Sequence, residues 1–498
     1  MADRLGQVAN LAPMNRRRIF TLLLMLAAPS ALAQTATLAC FAPAPDAPAK
    51  IAACSRMING PSLPAATRAL ALFARAEALA ASGDNASALA DFDAALVLAP
   101  GDAAAHLARG KLKDATGNAA EAEADFSAAL AEDPALAEAY SARGALRLKR
   151  GATEGGISDL AEARRLNPTD AEGQKLLAAA RLKAGRTADA VASYTAALAL
   201  NPREASAFRG RATAHARARN YPAAVADFSA ALDLNPGDLA ALEGRGMAAL
   251  QGGAFAAAIT DFSALAALRP GDDGPIFFRA NAKLQSGDAS GAGEDFSGFL
   301  KNHPDDTEAL MGRGLARQSG GDTIGAEADF SSFLARAPEA AQPRARRGYV
   351  RVMRGDYAGA VSDLAMAMAL PGAPPELALW RFIAETRGGR KADAALAEAA
   401  KEIATREWPA PVMDYYLGKV SGDAVLAAAA QDPTERVGRL CEAYFYLGQA
   451  ALILDDIPEA IKLFRAALAT GMTRYTEYAG ARAELARLAP QPVDAKPR

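Results

Sequence analysis

The chain contains few of the residues that build active sites or metal centres. Its 498 residues include only three histidines and three cysteines. The histidines, His106, His215 and His303, lie far apart, and none has an acidic or cysteine neighbour at the spacing of a metal site. The GxxxxGKS/T and GxSxG motifs are also missing from the sequence. We therefore expect no catalytic site, cofactor or metal; a hydrolase with an unrecognised site stays a remote alternative.

Strong charge of one sign is missing as well. The 55 basic and 57 acidic residues give a formal net charge of −2, which argues against nucleic acid as a partner. After the first 33 residues, no stretch is apolar for long enough to span a membrane. Hydrophobic residues make up 51% of the chain but aromatic residues only 6%. The apolar residues are therefore mostly small, which is typical of closely stacked helices.

Residues 1–33 have the pattern of a signal peptide, with an alternative start at Met14. A basic cluster at 15–18 precedes a short apolar run at 19–28 and the small-residue site Ala31-Leu32-Ala33. This pattern predicts a secreted, periplasmic protein. A second interpretation is a lipoprotein box at Leu38-Ala39-Cys40, which would make the chain an outer-membrane lipoprotein anchored at Cys40. It is less favoured, because Thr37 stands where that box has leucine.

Residues 34–68 form a proline-rich leader that contains Cys40 and Cys54. An oxidising compartment would let these two cysteines form a disulfide. Two free thiols are the alternative, and so is lipidation of Cys40.

A proline recurs every 34 residues without a change of phase: Pro100, Pro134, Pro168, Pro202, Pro236, Pro270, Pro304 and Pro338. A small residue precedes each proline by twelve positions and a large one by eight, as in Ala122 and Phe126. A glycine seventeen positions before the proline ends the first helix in every unit but one, where Arg219 replaces it. A fixed period of this length predicts a solenoid of helix pairs. We place nine units at 69–373.

These phases, together with glycine at the eighth position of the unit in Gly110, Gly144, Gly246 and Gly314, resemble tetratricopeptide repeats. The resemblance implies an all-α fold, a right-handed superhelical solenoid of antiparallel helix pairs. It also implies that the first helix of each pair lines a concave face.

An arginine at the seventh position of the unit and an aspartate at the twenty-third occur together in eight of the nine units, as in Arg211 and Asp227. The fourth unit loses both and has Leu177 and Ser193. Because an aspartate buried without its arginine would be costly, the joint loss predicts that the two side chains meet between the helices of a unit. We interpret the pairs as architecture.

Two zones of the expected concave face are candidate binding surfaces. The first, the basic zone, suits an acidic partner segment, with a solvated face as the alternative; it comprises Lys149, Lys175, Lys183, Arg209 and Arg217. The second, the apolar groove, suits a peptide, with inter-repeat core as the alternative; it comprises Phe277, Asn281, Leu284, Met311, Leu315, Tyr349 and Met353.

The regular pattern ends near residue 373. We expect an irregular helical segment at 374–440, a further repeat at 441–472, and a capping helix and tail at 473–498. Aromatic elements mark this part, including Leu379-Trp380-Arg381-Phe382, Tyr415-Tyr416-Leu417-Gly418 and Tyr444-Phe445-Tyr446-Leu447-Gly448. In order and spacing they resemble the C-terminal half of NlpI-type outer-membrane lipoproteins. Tyr415, Tyr416, Leu417 and Val420 form an apolar patch for self-association or for capping.

The NlpI-type resemblance implies a non-catalytic envelope adaptor that brings a processing protease or peptidoglycan hydrolases to their targets. The chain departs from that family in its larger number of repeats and in the position of its cysteine. We therefore expect a periplasmic protein-binding scaffold that acts in envelope proteolysis or cell-wall remodelling. A general scaffold or holdase for exported polypeptides is the alternative. The partner and the oligomeric state do not follow from the sequence.

Overall fold

The computed structural model describes residues 40–41, 46–60, 63–370, 373–402 and 407–488. The signal peptide predicted at 1–33, most of the leader and the C-terminal tail lie outside these ranges. Within them the regular secondary structure is entirely helical, with 26 α-helices. The chain divides into two compact units, residues 1–236 and 237–498, and each is described by itself.

In the described part of unit 1, helix α1 (Ala47–Ile58) packs on the first of five helix pairs. Within each pair the two helices pack together, and the second helix packs on the first helix of the next pair. The pairs are α2 (Ala65–Ala81) with α3 (Asn85–Leu98), α4 (Ala103–Ala115) with α5 (Ala119–Glu132), α6 (Ala137–Lys149) with α7 (Thr153–Leu166), α8 (Ala171–Lys183) with α9 (Thr187–Leu200), and α10 (Ala205–Arg217) with α11 (Tyr221–Leu234).

Unit 2 begins with four more pairs of the same kind. They are α12 (Leu239–Gln251) with α13 (Phe255–Leu268), α14 (Gly274–Ser286) with α15 (Ala289–Asn302), α16 (Thr307–Gly320) with α17 (Thr323–Arg336), and α18 (Ala341–Arg354) with α19 (Tyr357–Met368). The prediction of an all-α solenoid of helix pairs is confirmed. We refer to the nine pairs as repeats one to nine.

The remaining helices of unit 2 are less regular. They are α20 (Glu376–Arg387), α21 (Asp393–Ala399), α22 (Ala410–Tyr416), α23 (Gly422–Ala429), α24 (Arg436–Ile453), α25 (Ile457–Ala469) and α26 (Thr476–Leu488). Helices α24 and α25 pack as a pair in which Gly448 faces Phe464, as the eighth position faces the aromatic in the repeats. Helix α24 begins five residues before the boundary expected at 441.

Small residues facing large ones set the distance between the helices of a repeat. Ala122 and Phe126 of α5 are buried, and Gly110 of α4 lies directly against the Phe126 ring. A Cβ atom at Gly110 would lie 2.7 Å from Cε1 of that ring, so a larger residue would force the helices apart.

The turn inside each repeat needs a left-handed residue. Gly185, for example, has φ 76°, which glycine adopts without steric cost. At the position where the pattern has Arg219, the backbone keeps the same conformation, with φ 59°. The repeat therefore imposes its turn on a residue that disfavours it.

The predicted pairs of arginine and aspartate are confirmed in all eight repeats that carry them. In each, Nε and Nη2 of the arginine donate to the two carboxylate oxygens at 2.5–3.2 Å. Such bidentate bonds fix both side chains. The third nitrogen often reaches back to the preceding repeat, as Arg143 Nη1 does to Ser127 Oγ at 3.1 Å. The pairs thus join repeats as well as helices.

Repeat four replaces this arrangement with apolar packing. Leu177 is fully buried against Ile157 and Leu160, and Ser193 is also fully buried. Ala161 stands where most other repeats offer the arginine a hydroxyl. All three parts of the polar arrangement are therefore absent together at this repeat.

Candidate functional site

The structure places part of the apolar groove inside the core of unit 2. Tyr349 is 6% exposed and Met353 is 3% exposed. The Tyr349 ring lies 4.8 Å from the Trp380 ring, centroid to centroid. As the structure stands, these two side chains cannot line an open groove, because the C-terminal helices pack over them.

The other groove residues, Phe277, Asn281, Leu284, Met311 and Leu315, are half-buried. Phe277 packs on the rings of Phe296 and Phe299 at 5.8 and 5.2 Å. The amide of Asn281 donates to the carbonyl of Phe277 in its own helix at 3.0 Å. Much of this surface therefore already serves contacts within and between repeats.

The segment at 474–488 also covers the ends of three first helices in unit 2. Arg474 Nη1 donates to Gln285 Oε1 at 3.1 Å, Arg482 Nη2 to the Gln318 carbonyl at 3.2 Å, and Arg487 Nη1 to the Met353 carbonyl at 3.4 Å. These acceptors lie at the carboxyl ends of α14, α16 and α18, where the helix dipole favours cations. The chain thus caps these helices with its own arginines.

The basic zone lies in unit 1 on α6, α8 and α10. Lys149 Nζ lies 3.0 Å from Asp114 Oδ2, and Arg217 Nη1 donates to the Leu182 carbonyl at 2.9 Å. Lys175 Nζ lies 2.8 Å from Glu172 Oε2, and its hydrogen bond with that carboxylate raises its pKa. The side chain of Lys149 is 66% exposed, Lys183 is exposed, and Arg209 is half-buried. The zone therefore offers exposed cations beside local acidic residues.

A second basic position was missed by the sequence reasoning. A lysine or arginine four residues after the paired arginine gives the buried aspartate a further partner in five repeats. In repeat three, Arg147 Nη1 lies 2.8 Å from Asp159 Oδ2, and Arg147 Nε lies 2.9 Å from Glu123 Oε1 of the preceding repeat. The i, i+4 spacing was the signal that could have shown this.

Two carboxyl groups lie among the aromatic residues of unit 2, Glu477 buried and Glu442 half-buried. Glu477 Oε1 accepts from Trp380 Nε1 at 3.1 Å and from the Tyr446 hydroxyl at 3.0 Å. Glu442 Oε2 accepts from Trp408 Nε1 at 2.6 Å. Burial, followed by the neighbouring Glu477, raises the pKa of Glu442 to about 8. Burial also raises the pKa of Glu477. Glu477 thus joins α26 to α20 and α24, and Glu442 joins α24 to Trp408.

Part of the apolar patch at 415–420 is turned inward. The Tyr416 hydroxyl donates to the Tyr446 carbonyl at 2.7 Å, and its ring lies 4.9 Å from Phe382. Tyr415 and Leu417 are half-buried, and Val420 is 36% exposed. These contacts support the capping interpretation of the patch.

A shallow cleft of about 720 Å³ lies in unit 2, lined by 253–257, 285–287, Thr473 and Arg474. Among the described residues, no group of three or more histidine, cysteine or acidic side chains is arranged to hold a metal ion. In the same ranges, no helix has the length and apolar character needed to cross a bilayer.

Cys40 and Cys54 form a disulfide in the structure, and both are fully buried. They pack with Ala53 and Met57 of α1 and with Leu72 of α2. The bond ties residue 40 to the helix that covers the first repeat.

Comparisons with known proteins agree with the repeat architecture. The tetratricopeptide repeat family model matches residues 175–238 and 210–273. A lipoprotein NlpI homolog from Haemophilus influenzae is 31% identical over 120 residues, which is 23% of this chain and 38% of that relative. The chain thus spans less than half the length of this curated relative.

Solved structures with a similar arrangement include YrrB, a tetratricopeptide-repeat protein described as having an unusual peptide-binding site. It is 24% identical, with coverage of 35% of this chain and 90% of YrrB and a TM-score of 0.33. The C-terminal part of a repeat protein from Cytophaga hutchinsonii is 17% identical, with coverage of 47% and 94% and a TM-score of 0.40.

The helix pairs have the tetratricopeptide-repeat architecture, and the family match lies within them at residues 175–273. Over part of its length this chain resembles the NlpI-type lipoproteins.

Proposed function

We propose that this protein is a non-catalytic scaffold of the bacterial envelope that binds a protein partner and acts in envelope proteolysis or cell-wall remodelling. The observation that carries the proposal is the array of nine helix pairs whose first helices, in unit 1, present exposed cations such as Lys149 and Lys183. Stacked repeats of this kind provide extended surfaces for partners. The partial similarity to the NlpI homolog supports the envelope process.

The disulfide supports a periplasmic location, because such bonds persist in oxidising compartments. A sulfur that is bonded to Cys54 is not available for a lipid. We therefore propose that the mature chain is not anchored through Cys40, in contrast to the lipoproteins that it resembles. Mass spectrometry of the protein from the envelope fraction tests this: an intact disulfide is expected, and a lipid adduct on Cys40 would contradict it.

The basic zone is the proposed contact surface, since the C-terminal helices already cover Tyr349 and Met353 in the apolar groove. The test is a crosslinking pull-down from the envelope fraction with the wild type and with Lys149→Glu plus Lys183→Glu. A matched control reverses two exposed lysines of unit 2, Lys401→Glu plus Lys462→Glu.

We expect a discrete protease or wall hydrolase that the wild type and the control capture and the basic-zone variant loses. Equal capture by all three proteins would exclude the basic zone as the contact surface. Broad binding of unfolded chains without a defined stoichiometry would favour the holdase alternative.

A further inference from the structure

Arg181 of repeat four occupies the same place as the second basic residue of the other repeats but lacks their acidic partners. In repeats three, eight and nine, Nη1 of Arg147, Arg317 and Arg351 lies 2.7–2.8 Å from a carboxylate oxygen of the buried aspartate. Arg181 Nη1 instead donates to Ser193 Oγ at 2.6 Å and, at 3.5 Å, to the Asp189 carbonyl. The orientation is the same, but a neutral hydroxyl has replaced the charge.

The second carboxylate is missing too. Arg147 and Arg351 each donate through Nε to a glutamate twenty-four residues earlier, Glu123 and Glu327, at 2.9 Å. The corresponding residue for Arg181 is Ile157. Arg181 Nε is buried without an acceptor, and within the described part of the chain no carboxylate lies within ion-pair distance of this guanidinium.

The surroundings of Arg181 are positively charged. Burial, followed by repulsion from Arg164, lowers its pKa; Arg186 lowers it further, and Asp189 only partly opposes this. Arg186 itself pairs with Glu154. A half-buried cation in this position would gain from any carboxylate that reaches it, because charge-assisted hydrogen bonds are stronger than neutral ones.

We propose that repeat four holds a carboxylate-binding site centred on Arg181, in which an acidic group of a bound peptide pairs with the guanidinium that has no carboxylate partner of its own. The proposal rests on the scaffold function and gives the partner a chemical class, an acidic peptide segment. The carboxylate can be a side chain or a C-terminus.

The test uses the full chain and two fluorescein-labelled probes, a tetraglutamate peptide with an amidated C-terminus and a tetra-alanine peptide with a free C-terminus. Fluorescence anisotropy at low salt measures both. The informative variant is Ser193→Asp, which fills the site with the chain's own carboxylate; Arg181→Gln removes the cation. The matched control is Arg351→Gln, because Asp363 there keeps Arg347.

We expect Ser193→Asp and Arg181→Gln to weaken probe binding at least about tenfold, as expected for loss of a charge-assisted contact, while Arg351→Gln changes it less than about twofold. Binding of the amidated probe indicates a side-chain carboxylate, and binding of the tetra-alanine probe indicates a C-terminus. Unchanged affinity in both site variants, or no binding of either probe, would overturn the proposal.

Two further readouts distinguish failure of the Arg181 site from misfolding of the variants and from failure of the scaffold function. Thermal melting checks folding, and if Ser193→Asp alone does not fold, Leu177→Arg with Ser193→Asp rebuilds the full pattern of the other repeats. If the wild type captures a partner but probe binding is unchanged in both variants, the scaffold function stands and the Arg181 site is excluded. If probe binding depends on Arg181 but no partner is captured, the site stands and the scaffold function is excluded.

Discussion

In the repeats, the buried aspartates Asp125 and Asp295 each lie between two cations, whereas in the C-terminal segment Glu442 and Glu477 lie among aromatic rings. Burial alone would raise the pKa of Asp125 and of Asp295, but hydrogen bonds from Arg109 and Lys113, and from Arg279 and Lys283, lower it. For the two glutamates burial prevails, and the pKa of each is raised.

The difference shows how one chain can hold buried acids in two ways. Eight of the nine repeats supply an arginine partner for the buried aspartate, so the same pair recurs at intervals of thirty-four residues. In the C-terminal segment, Glu442 and Glu477 have raised pKa values and accept from indole and phenol groups, an arrangement that occurs once. The two regions should therefore respond differently to substitution and in opposite directions to pH.

The largest expected effect breaks a pair in the repeats. Asp227→Ala leaves the half-buried Arg211 without its carboxylate and should lower the free energy of unfolding by about 2–3 kcal/mol. The measurement is chemical denaturation followed by circular dichroism. Partner affinity should not change, since the pair lies between the helices of repeat five.

A double variant serves as the control. Arg211→Leu with Asp227→Ser copies the pair that repeat four carries naturally, Leu177 and Ser193, and should recover more than half of the lost stability. A double variant as unstable as Asp227→Ala would contradict the view that joint loss of both partners is tolerated.

The second prediction concerns pH. Because Glu442 has a pKa of about 8 in the folded protein and 4.5 as a free side chain, the folded state binds its proton more tightly. Its stabilising contribution is complete below about pH 4.5 and is lost as pH rises through about 8. The raised pKa of Glu477 acts in the same direction. Asp125 and Asp295, whose pKa is lowered, lose their contribution at the acidic end instead.

Tryptophan fluorescence can selectively follow the pH-dependent stability of the region around Glu442 and Glu477. The chain has two tryptophans, and both donate to these glutamates. The melting temperature seen by fluorescence should fall by several degrees between about pH 5 and about pH 9. Glu442→Gln should flatten this dependence. An equal slope in the variant would exclude Glu442 as its source.

How much could be predicted from the sequence also differs between the repeats and the C-terminal segment. The helix pairs, the turn at each glycine and the contact between Arg211 and Asp227 recur in phase, so their positions could be compared across nine units. The burial of Tyr349 could not be predicted in this way. It depends on Trp380 and the C-terminal helices, which occur once and have no phase to compare.

The site at Arg181 could be predicted from the sequence only in part. The repeat pattern does show that Ser193 replaces the aspartate and that Ile157 stands where two repeats have Glu123 and Glu327, but the meaning of these differences depends on which side chain faces them. Only the geometry shows that Arg181 is aimed where the aspartate would be. A substitution at a repeat position is therefore informative when the residue that normally pairs with that position is retained, as Arg181 is.

The smallest expected effect concerns Arg219 in unit 1, which replaces the glycine of the repeat without changing the backbone conformation of the turn. Arg219 holds φ 59° where the other repeats have glycine, and its side chain is exposed. Arg219→Gly removes the clash of its Cβ in the left-handed conformation and should raise the free energy of unfolding by about 0.5–1 kcal/mol. The matched change in the opposite direction is Gly185→Arg, at φ 76°, which should lower it by about 1 kcal/mol. Denaturant titrations of both variants against the wild type measure the pair. Shifts of the same sign would mean that contacts of the arginine side chain, rather than the backbone conformation, determine stability at this turn.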